Sequence, residues 1–337
     1  MSHLSANTSL SLSARLALYL GPPATILLIS IASPVTGLLT PLAFLPAAGL
    51  YKAYATSASK DSSRRANLEP LIWTCVLSTT VGVAAATAVQ AFVGYSTATV
   101  LFGNGEARDY FVREAMRAST DGLSAQDISQ RAALAWSWQT TAFNAICSFV
   151  GAAITEETLK YSPVAYCRRN LKRVDNERKI RSRAQVDYAL AWGLGLGLVE
   201  AVGGIYAAVT DAQATWPSIG LTVAERVVLG VSAHLFTAAL SATRSIRKDQ
   251  ESGYTMSKRS IATFFSIIGP STFLHGATNF GLFSFSAWNG NLGWIHPTDT
   301  TQCIGMLGMY CTALGAAAWL TRREWRRIED GEREKND

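Results

Sequence analysis

The run Gly193-Leu-Gly-Leu-Gly-Leu-Val-Glu200-Ala-Val-Gly-Gly204 lies inside an apolar stretch that extends from Val186 to Thr210. About 20 apolar residues suffice for a helix to cross the hydrocarbon core of a bilayer, so this stretch predicts a transmembrane helix. At about 100° per residue, three glycines and the glutamate share an arc of about 60°: Gly193, Gly197, Glu200 and Gly204. We expect this face to pack closely on neighbouring helices, with Glu200 directed into the bundle.

Seven further apolar stretches accompany this one, and the composition agrees with a membrane protein. The 337 residues are 49% apolar and only 16% charged, whereas about a quarter of a soluble domain is charged. We therefore predict an all-α, polytopic transmembrane helix bundle with about eight spans, which lie approximately at Leu16–Ala32, Thr36–Leu50, Pro70–Tyr95, Ala133–Thr155, Val186–Thr210, Leu221–Ala242, Ile261–Ala287 and Cys303–Leu320. Prolines at positions 34, 41 and 46 interrupt the first two, so a re-entrant hairpin is the alternative there.

The basic residues lie in short clusters between the apolar stretches. With both termini in the cytoplasm, 24 of the 30 lysines and arginines fall on the cytoplasmic side, as the positive-inside rule requires. The net charge of +6 therefore reflects orientation in a lipid bilayer. We do not expect nucleic acid as a partner. The predicted domains are N-terminal spans (1–95), a non-cytoplasmic interfacial segment with two short helices (96–132), a catalytic membrane core (133–320) and a basic cytoplasmic tail (321–337).

Four consecutive predicted spans carry polar groups, although an ionisable group costs roughly 2.5–3.5 kcal/mol at the bilayer centre. These are Glu156, Glu157 and Lys160, then Glu200, then Arg226, His234 and Thr237, and finally His275 and Asn279. Inward-facing glutamates and histidines can activate water, and an asparagine one turn from a histidine can donate to an oxyanion. Two histidines and one glutamate, with Glu157, His234 and His275 as candidates, are also a common zinc ligand set. Because no H-E-x-x-H pattern is present, the cofactor is either Zn²⁺ or none.

In order and spacing these residues resemble the PrsW family of intramembrane proteases, which belongs with the type II CAAX prenyl proteases in a wider superfamily. The motifs are Glu156-Glu157-x-x-Lys160, then Asp187 leading to Gly193-x-Gly195 and Glu200, then Arg226 with His234-x-x-Thr237, and His275-Gly-x-x-Asn279-Phe280. They cover roughly residues 150–285. The resemblance implies hydrolysis of a peptide bond in a membrane-anchored protein substrate, with the paired glutamates and both histidines essential. Lys160, Asp187, Arg226 and Thr237 would support them.

The resulting hypothesis is that Glu156 or Glu157, together with His234, deprotonates water in a cavity among spans four to seven. His275 and Asn279 would stabilise the oxyanion, while Glu200 would assist the base or complete a metal site. A proton-coupled membrane transporter also needs buried glutamate and histidine and is the alternative function. Such a transporter is expected to show an inverted repeat, and the two halves of the sequence show none.

Overall fold

The computed structural model describes residues 10–60, 67–117, 120, 122–170, 178–210, 215–252, 260–294 and 299–333. Within these ranges the chain is helical and contains no strand. The helices are α1 (Leu12–Ala32), α2 (Pro34–Ala43), α3 (Leu45–Lys60), α4 (Leu68–Leu77), α5 (Val83–Phe102), α6 (Glu106–Ala115), α7 (Ala125–Ala135), α8 (Trp138–Ile146), α9 (Thr155–Asn170), α10 (Arg178–Thr210), α11 (Trp216–Ala224), α12 (Val231–Glu251), α13 (Ile261–Trp288) and α14 (Thr300–Arg333). Three wide π-type segments continue α4 into α5, α8 into α9 and α11 into α12: Ser78–Gly82, Cys147–Ile154 and Glu225–Gly230.

Among the described residues, six helical segments are long and apolar enough to cross a membrane: Leu12–Ala32, Pro34–Thr56, Leu68–Phe102, Arg183–Thr210, Trp216–Glu251 and Thr300–Gly331. They confirm the predicted polytopic helix bundle. The other two predicted spans, the fourth and the seventh, lie on the continuous helix 138–170 and on α13, which do not meet this criterion. Both carry polar residues of the candidate site, which lower their mean hydropathy. The figure of eight crossings therefore stays a prediction, as does the orientation of the termini.

The prolines near the N-terminus lie close to the two breaks that separate α1, α2 and α3, at Ser33 and Phe44. Pro41 lies inside α2, three residues before the second break. Pro34 begins α2 directly after Ser33, whose hydroxyl accepts a hydrogen bond from the Thr36 amide. A proline in the first turn removes no intrahelical hydrogen bond, and Pro46 has the same kind of position in α3. The first two predicted spans thus lie in segments that are each long enough to cross a membrane, which favours crossing over a re-entrant hairpin.

The central helix α10 packs closely on α12 through the predicted glycine face. A Cβ atom at Gly193 would lie 2.7 Å from the His234 carbonyl oxygen, and one at Gly204 would lie 2.8 Å from Arg226 Cγ. At Gly197 the corresponding distance to Val231 Cα is 3.1 Å. Because only glycine permits so close an approach, these residues set the distance between the two helices that carry Glu200 and His234.

Helices α6 and α7 are the two short helices predicted between residues 96 and 132. A capping box formed by Ser124 and Asp127 begins α7, as its sequence predicts. Helix α5 continues through the predicted boundary at residue 95 and ends at Phe102.

Glu114 lies at the centre of this interfacial segment and is only 4% exposed. Its two carboxylate oxygens accept hydrogen bonds from Arg113, Arg117 and Arg131. Burial alone raises the pKa of Glu114, but the hydrogen bonds from the three arginines outweigh burial and lower that pKa to about 2. The glutamate and its arginines, hereafter the interfacial cluster, tie α6 to the start of the membrane core.

Helix α14 continues the last predicted span into the basic tail. The buried Glu324 of this extension lies 2.8 Å from Arg244 and 2.8 Å from Arg247 on α12, so the beginning of the tail packs on the core. Residues 334–337 lie outside the described ranges, as do parts of the other predicted basic clusters at 61–66, 171–177 and 253–259.

Candidate active site

A cavity of about 100 Å³ brings the predicted polar residues together. It is large enough for several water molecules. Its walls come from α9, α10, α12, α13, α14 and the π-type segment before α12, and its polar lining consists of Glu156, Lys160, Glu200, Arg226, His234, Thr237, His275, Thr278, Asn279 and Tyr310. The polar residues chosen from the sequence because of their membrane depth therefore meet around one cavity, with the exception of Glu157.

Glu156 lies between the two histidines and is 4% exposed. Its Oε1 atom accepts a hydrogen bond of 3.0 Å from the side-chain amide of Gln90 on α5. Its Oε2 atom lies 3.8 Å from His234 Nδ1 and 3.8 Å from His275 Nε2, and it has no hydrogen-bond partner among the described residues. One oxygen is thus held by a neighbouring helix, while the other faces both imidazoles.

Glu157 is fully buried and lies behind the cavity wall. Its Oε1 atom accepts a 2.7 Å hydrogen bond from Lys160 Nζ and lies 3.1 Å from His275 Nδ1. Because an ionised carboxylate only accepts hydrogen bonds, we assign the proton of His275 to Nδ1, which leaves the Nε2 lone pair directed at Glu156. Glu157 therefore orients His275 rather than facing the cavity.

Lys160 is the cation next to the two adjacent glutamates and is only 1% exposed. Besides Glu157, it donates a 3.2 Å hydrogen bond to Thr237 Oγ1, and it lies 3.9 Å from Glu156 Oε2. The Thr237 hydroxyl in turn donates to the His234 carbonyl oxygen at 3.3 Å. These contacts connect α9 with α12 and explain why a lysine and a threonine accompany the glutamates and the histidine.

Glu200 holds the second imidazole. Its Oε2 atom lies 2.9 Å from His234 Nε2, so we place the His234 proton on Nε2 by the same reasoning. The other ring nitrogen, Nδ1, is buried and has no hydrogen-bond partner among the described residues. Each histidine is thus oriented by a carboxylate on one side and presents a lone pair to Glu156 on the other.

Arg226 and Asn279 lie on the cavity wall, as the sequence predicts for an inward-facing site, but Asp187 does not. Asn279 is one helical turn beyond His275, and its side-chain amide makes no hydrogen bond to any described residue. Asp187 precedes Glu200 by 13 residues on α10, about 20 Å along the helix axis. The catalytic and supporting roles assigned from the sequence stay predictions, and a role for Asp187 would have to be exerted from a distance.

Three polar side chains at the site were not among the residues predicted from the sequence, and one of them is Thr278, next to Asn279 on the cavity wall. Gln90 contacts Glu156 from α5, and Tyr310 completes the cavity wall from α14. A signal for Gln90 was present, because it is the only side-chain amide or charged group between Glu69 and Asn104. Tyr310 gave no such signal, since tyrosine is common in membrane helices.

The arrangement of lone pairs tests whether the site suits a metal ion. Glu156 Oε2, His234 Nδ1 and His275 Nε2 are all acceptors in the assigned tautomers, and the nearest cation, Lys160 Nζ, lies 3.9 Å from Glu156 Oε2, beyond hydrogen-bond distance. Acceptors that converge in this way need a proton, a water molecule or a cation among them. Two imidazoles and one carboxylate are the ligand types of catalytic zinc sites, so these three residues match such an ion in ligand type.

A second possible set of metal ligands shares Glu156 and His234 with the first and replaces His275 by Glu200. Potential ligand atoms of Glu156, Glu200 and His234 all lie within 4.8 Å of one another. Both groupings contain Glu156, whereas the ligand set proposed from the sequence contained Glu157, whose Oε1 atom is taken up by Lys160 and His275.

Comparison with known proteins identifies a matching family. The family model of PrsW family intramembrane metalloproteases matches residues 67–311, a wider range than the motifs from 150 to 285. No curated protein and no solved structure matches the chain. The relation to type II CAAX prenyl proteases stays a prediction. Because the match covers well over half of the chain and includes every residue of the cavity's polar lining, the protein belongs to the PrsW family and is an intramembrane protease.

Proposed function

We propose that the protein hydrolyses a peptide bond in a membrane-anchored protein substrate, and that Glu156 acts on the attacking water. One observation carries this proposal. Beside the cavity, Glu156 Oε2 lies 3.8 Å from His234 Nδ1 and 3.8 Å from His275 Nε2, the two ring nitrogens that keep a lone pair. A carboxylate with one anchored oxygen and one free oxygen can accept a proton from water and return it to the leaving amine.

The surrounding residues have distinct supporting roles. Glu200 and Glu157 orient the two imidazoles through His234 Nε2 and His275 Nδ1. Asn279 offers an unused N–H donor on the cavity wall, where it would stabilise the oxyanion of the tetrahedral intermediate. Lys160 offsets part of the negative charge that three carboxylates bring together.

A divalent metal such as Zn²⁺, when bound, would be held by Glu156, His234 and His275 and would supply Lewis-acid polarisation of the scissile carbonyl and a hydroxide near neutral pH. In either chemistry Glu157 and Glu200 would serve the imidazoles as the carboxylate partners that metal-bound histidines require. Chelation separates the two mechanisms, because only a metal-dependent protease loses activity on dialysis against a chelator and regains it with Zn²⁺.

The depth of the site supports a substrate that enters the membrane. His275 lies near the midpoint of α13, 14 residues from Ile261 and 13 from Trp288, which is about 20 Å from each end. The exposed Trp288 is the kind of residue that marks a membrane interface. With α13 crossing the bilayer as the sequence predicts, a peptide bond that reaches His275 would lie near mid-membrane, so the substrate is expected to present a transmembrane segment.

The proposal is tested with the purified protein in liposomes that contain a panel of single-span reporter proteins, with mass spectrometry of the products. Variants Glu156→Gln, His234→Ala and His275→Ala are expected to lower turnover by about 10²- to 10⁴-fold. Glu106→Gln, which removes an exposed glutamate from α6, is the matched control. Undiminished turnover in both histidine variants would refute the proposal. Ion-coupled uptake without any cleavage would instead favour the transporter, which the family match argues against.

A further inference from the structure

Gln90 is the only amide or charged side chain of helix α5, whose other polar side chains are hydroxyls. Its amide nitrogen donates to Glu156 Oε1 at 3.0 Å, and this is the only hydrogen bond that the described residues give to the Glu156 carboxylate. Lys160, the nearest cation, lies 3.9 Å from the opposite oxygen, which is too long for a hydrogen bond. The contact joins α5, from the N-terminal part of the chain, to the catalytic core.

The packing of α5 holds this amide in place. Val93, one turn further along α5, lies 3.5 Å from the position that a Cβ atom would have at the buried Gly151. Gly151 belongs to the π-type segment directly before Glu156. The close approach of α5 to this segment brings Gln90 within reach of the carboxylate.

We propose that Gln90 is a positioning residue for peptide-bond hydrolysis, an inference that rests on the proposed role of Glu156. A carboxylate only accepts hydrogen bonds, so the donor of Gln90 fixes Oε1 and leaves Oε2 as the oxygen that faces both imidazoles. Without this donor, Oε1 is buried without a partner, and the carboxylate is free to rotate away from the reacting water. Reactive groups have to be held within a fraction of an ångström, so this rotation reduces the rate.

A purely structural hydrogen bond between helices is the competing explanation, and the chain offers a matched control for it. Gln185 on α10 is also a buried glutamine, and its Oε1 atom accepts from the Ser245 hydroxyl of α12 at 3.4 Å. It lies 15 residues before Glu200, about 22 Å along α10, and does not line the cavity. Loss of this bond tests what an interhelical glutamine contributes to stability alone.

The experiment compares Gln90→Leu with Gln185→Leu in the reconstituted full-length protein, measuring kcat and KM for a reporter that the natural protein cleaves. For Gln90→Leu we expect kcat to fall about 10- to 100-fold, the size of effect seen when a partner of a site residue is removed, with KM changed less than about threefold. Gln185→Leu is expected to retain the natural kcat. Melting temperatures of the two variants in detergent should agree. If Gln90→Leu prevents folding, Gln90→Met, of nearly the same length, replaces it.

A second readout does not depend on turnover. Zn²⁺ affinity, measured by competition with a chromophoric chelator, is expected to weaken about 10-fold in Gln90→Leu and not in Gln185→Leu. A natural kcat in Gln90→Leu, or equal losses of kcat in both glutamine variants, would overturn the inference.

The same assay distinguishes failure of this inference from failure of the proposed function. If Glu156→Gln retains full turnover, the proposed function itself is wrong. If Glu156→Gln is inactive while Gln90→Leu is fully active, only the role of Gln90 is wrong. Because Gln90 is inferred to act through Glu156, the double variant should be no less active than Glu156→Gln alone.

Discussion

The active-site cluster and the interfacial cluster both bury glutamate beside basic side chains, yet they satisfy these carboxylates differently. Both oxygens of Glu114 accept hydrogen bonds from arginines. In the active site, Glu156 Oε2 and Glu157 Oε2 have no partner among the described residues. A buried acceptor without a partner costs free energy, so the unpartnered Oε2 atom of Glu156 beside the cavity indicates chemistry rather than structural support.

The two clusters also differ in their ratio of acidic to basic side chains. Three arginines surround the single carboxylate of the interfacial cluster. In the active site, three carboxylates share Lys160 and the more distant Arg226. An excess of acid at membrane depth suits a site that has to exchange protons or bind a cation. The comparison thus separates a stabilising cluster from a reactive one, and substitutions in each cluster test it.

The largest effect is expected for Glu157→Gln. This change leaves the buried Lys160 ammonium without its 2.7 Å partner, which should lower stability by roughly 3–5 kcal/mol and also release His275. SDS-induced unfolding in mixed micelles measures the stability, with Glu106→Gln as the control. The double variant Glu157→Gln/Lys160→Met should recover stability but not activity. Full stability of Glu157→Gln alone would contradict the view that this pair supports the site.

Asn279→Ala should affect activity only. Loss of an oxyanion donor lowers kcat by about 10²- to 10³-fold, and since Asn279 makes no hydrogen bond within the described residues, the melting temperature should not change. Thr99→Val on α5 is the control, because its hydroxyl is bonded to the Tyr95 carbonyl at 2.9 Å and it does not line the cavity. Equal losses of kcat in both variants would show that Asn279 is not a specific donor.

Acid pH should weaken the interfacial cluster. The pKa of Glu114 is about 2 in the folded protein, against 4.5 for an unperturbed glutamate, so the unfolded state takes up the proton first. The stabilisation is therefore complete above about pH 5 and is lost as the pH falls toward 2, with an upper limit of roughly 3 kcal/mol. Hydrogen exchange of the α6 and α7 amides measures it. In Glu114→Gln the protection of these amides should be lower at neutral pH and nearly independent of pH; an unchanged pH dependence would contradict the assignment.

The smallest effect concerns the distance between α10 and α12. Gly193→Ala would place a Cβ atom 2.7 Å from the His234 carbonyl oxygen, and overpacking of this kind costs roughly 1–3 kcal/mol. Gly203→Ala on the same helix has open space and should be neutral or stabilising by up to about 1 kcal/mol. Thermal unfolding of both variants compares them, and equal melting temperatures would show that the glycine face does not set the helix distance.

Much of the fold follows from the sequence, because a chain in lipid has to satisfy its backbone hydrogen bonds within helices. The apolar stretches therefore predicted where helices lie, and the capping box at Ser124 predicted where α7 begins. Gln90 was overlooked for a physical reason. A single amide in an apolar helix shows that a partner is needed, but not which of the other helices supplies it.

The sequence alone determined that charged and histidine side chains at membrane depth have to meet, since each is too costly to face lipid alone. Only the tertiary structure decided which atoms meet. Glu156 and Glu157 are neighbours that point about 100° apart, and the wide segment Cys147–Ile154 just before them shifts the helix register in a way that no periodicity predicts. That rotation sets which of the two faces the cavity: Glu156 does, while Glu157, bonded to Lys160 one turn further along the same helix, lies behind the cavity wall. The reacting carboxylate is thereby separated from the supporting one.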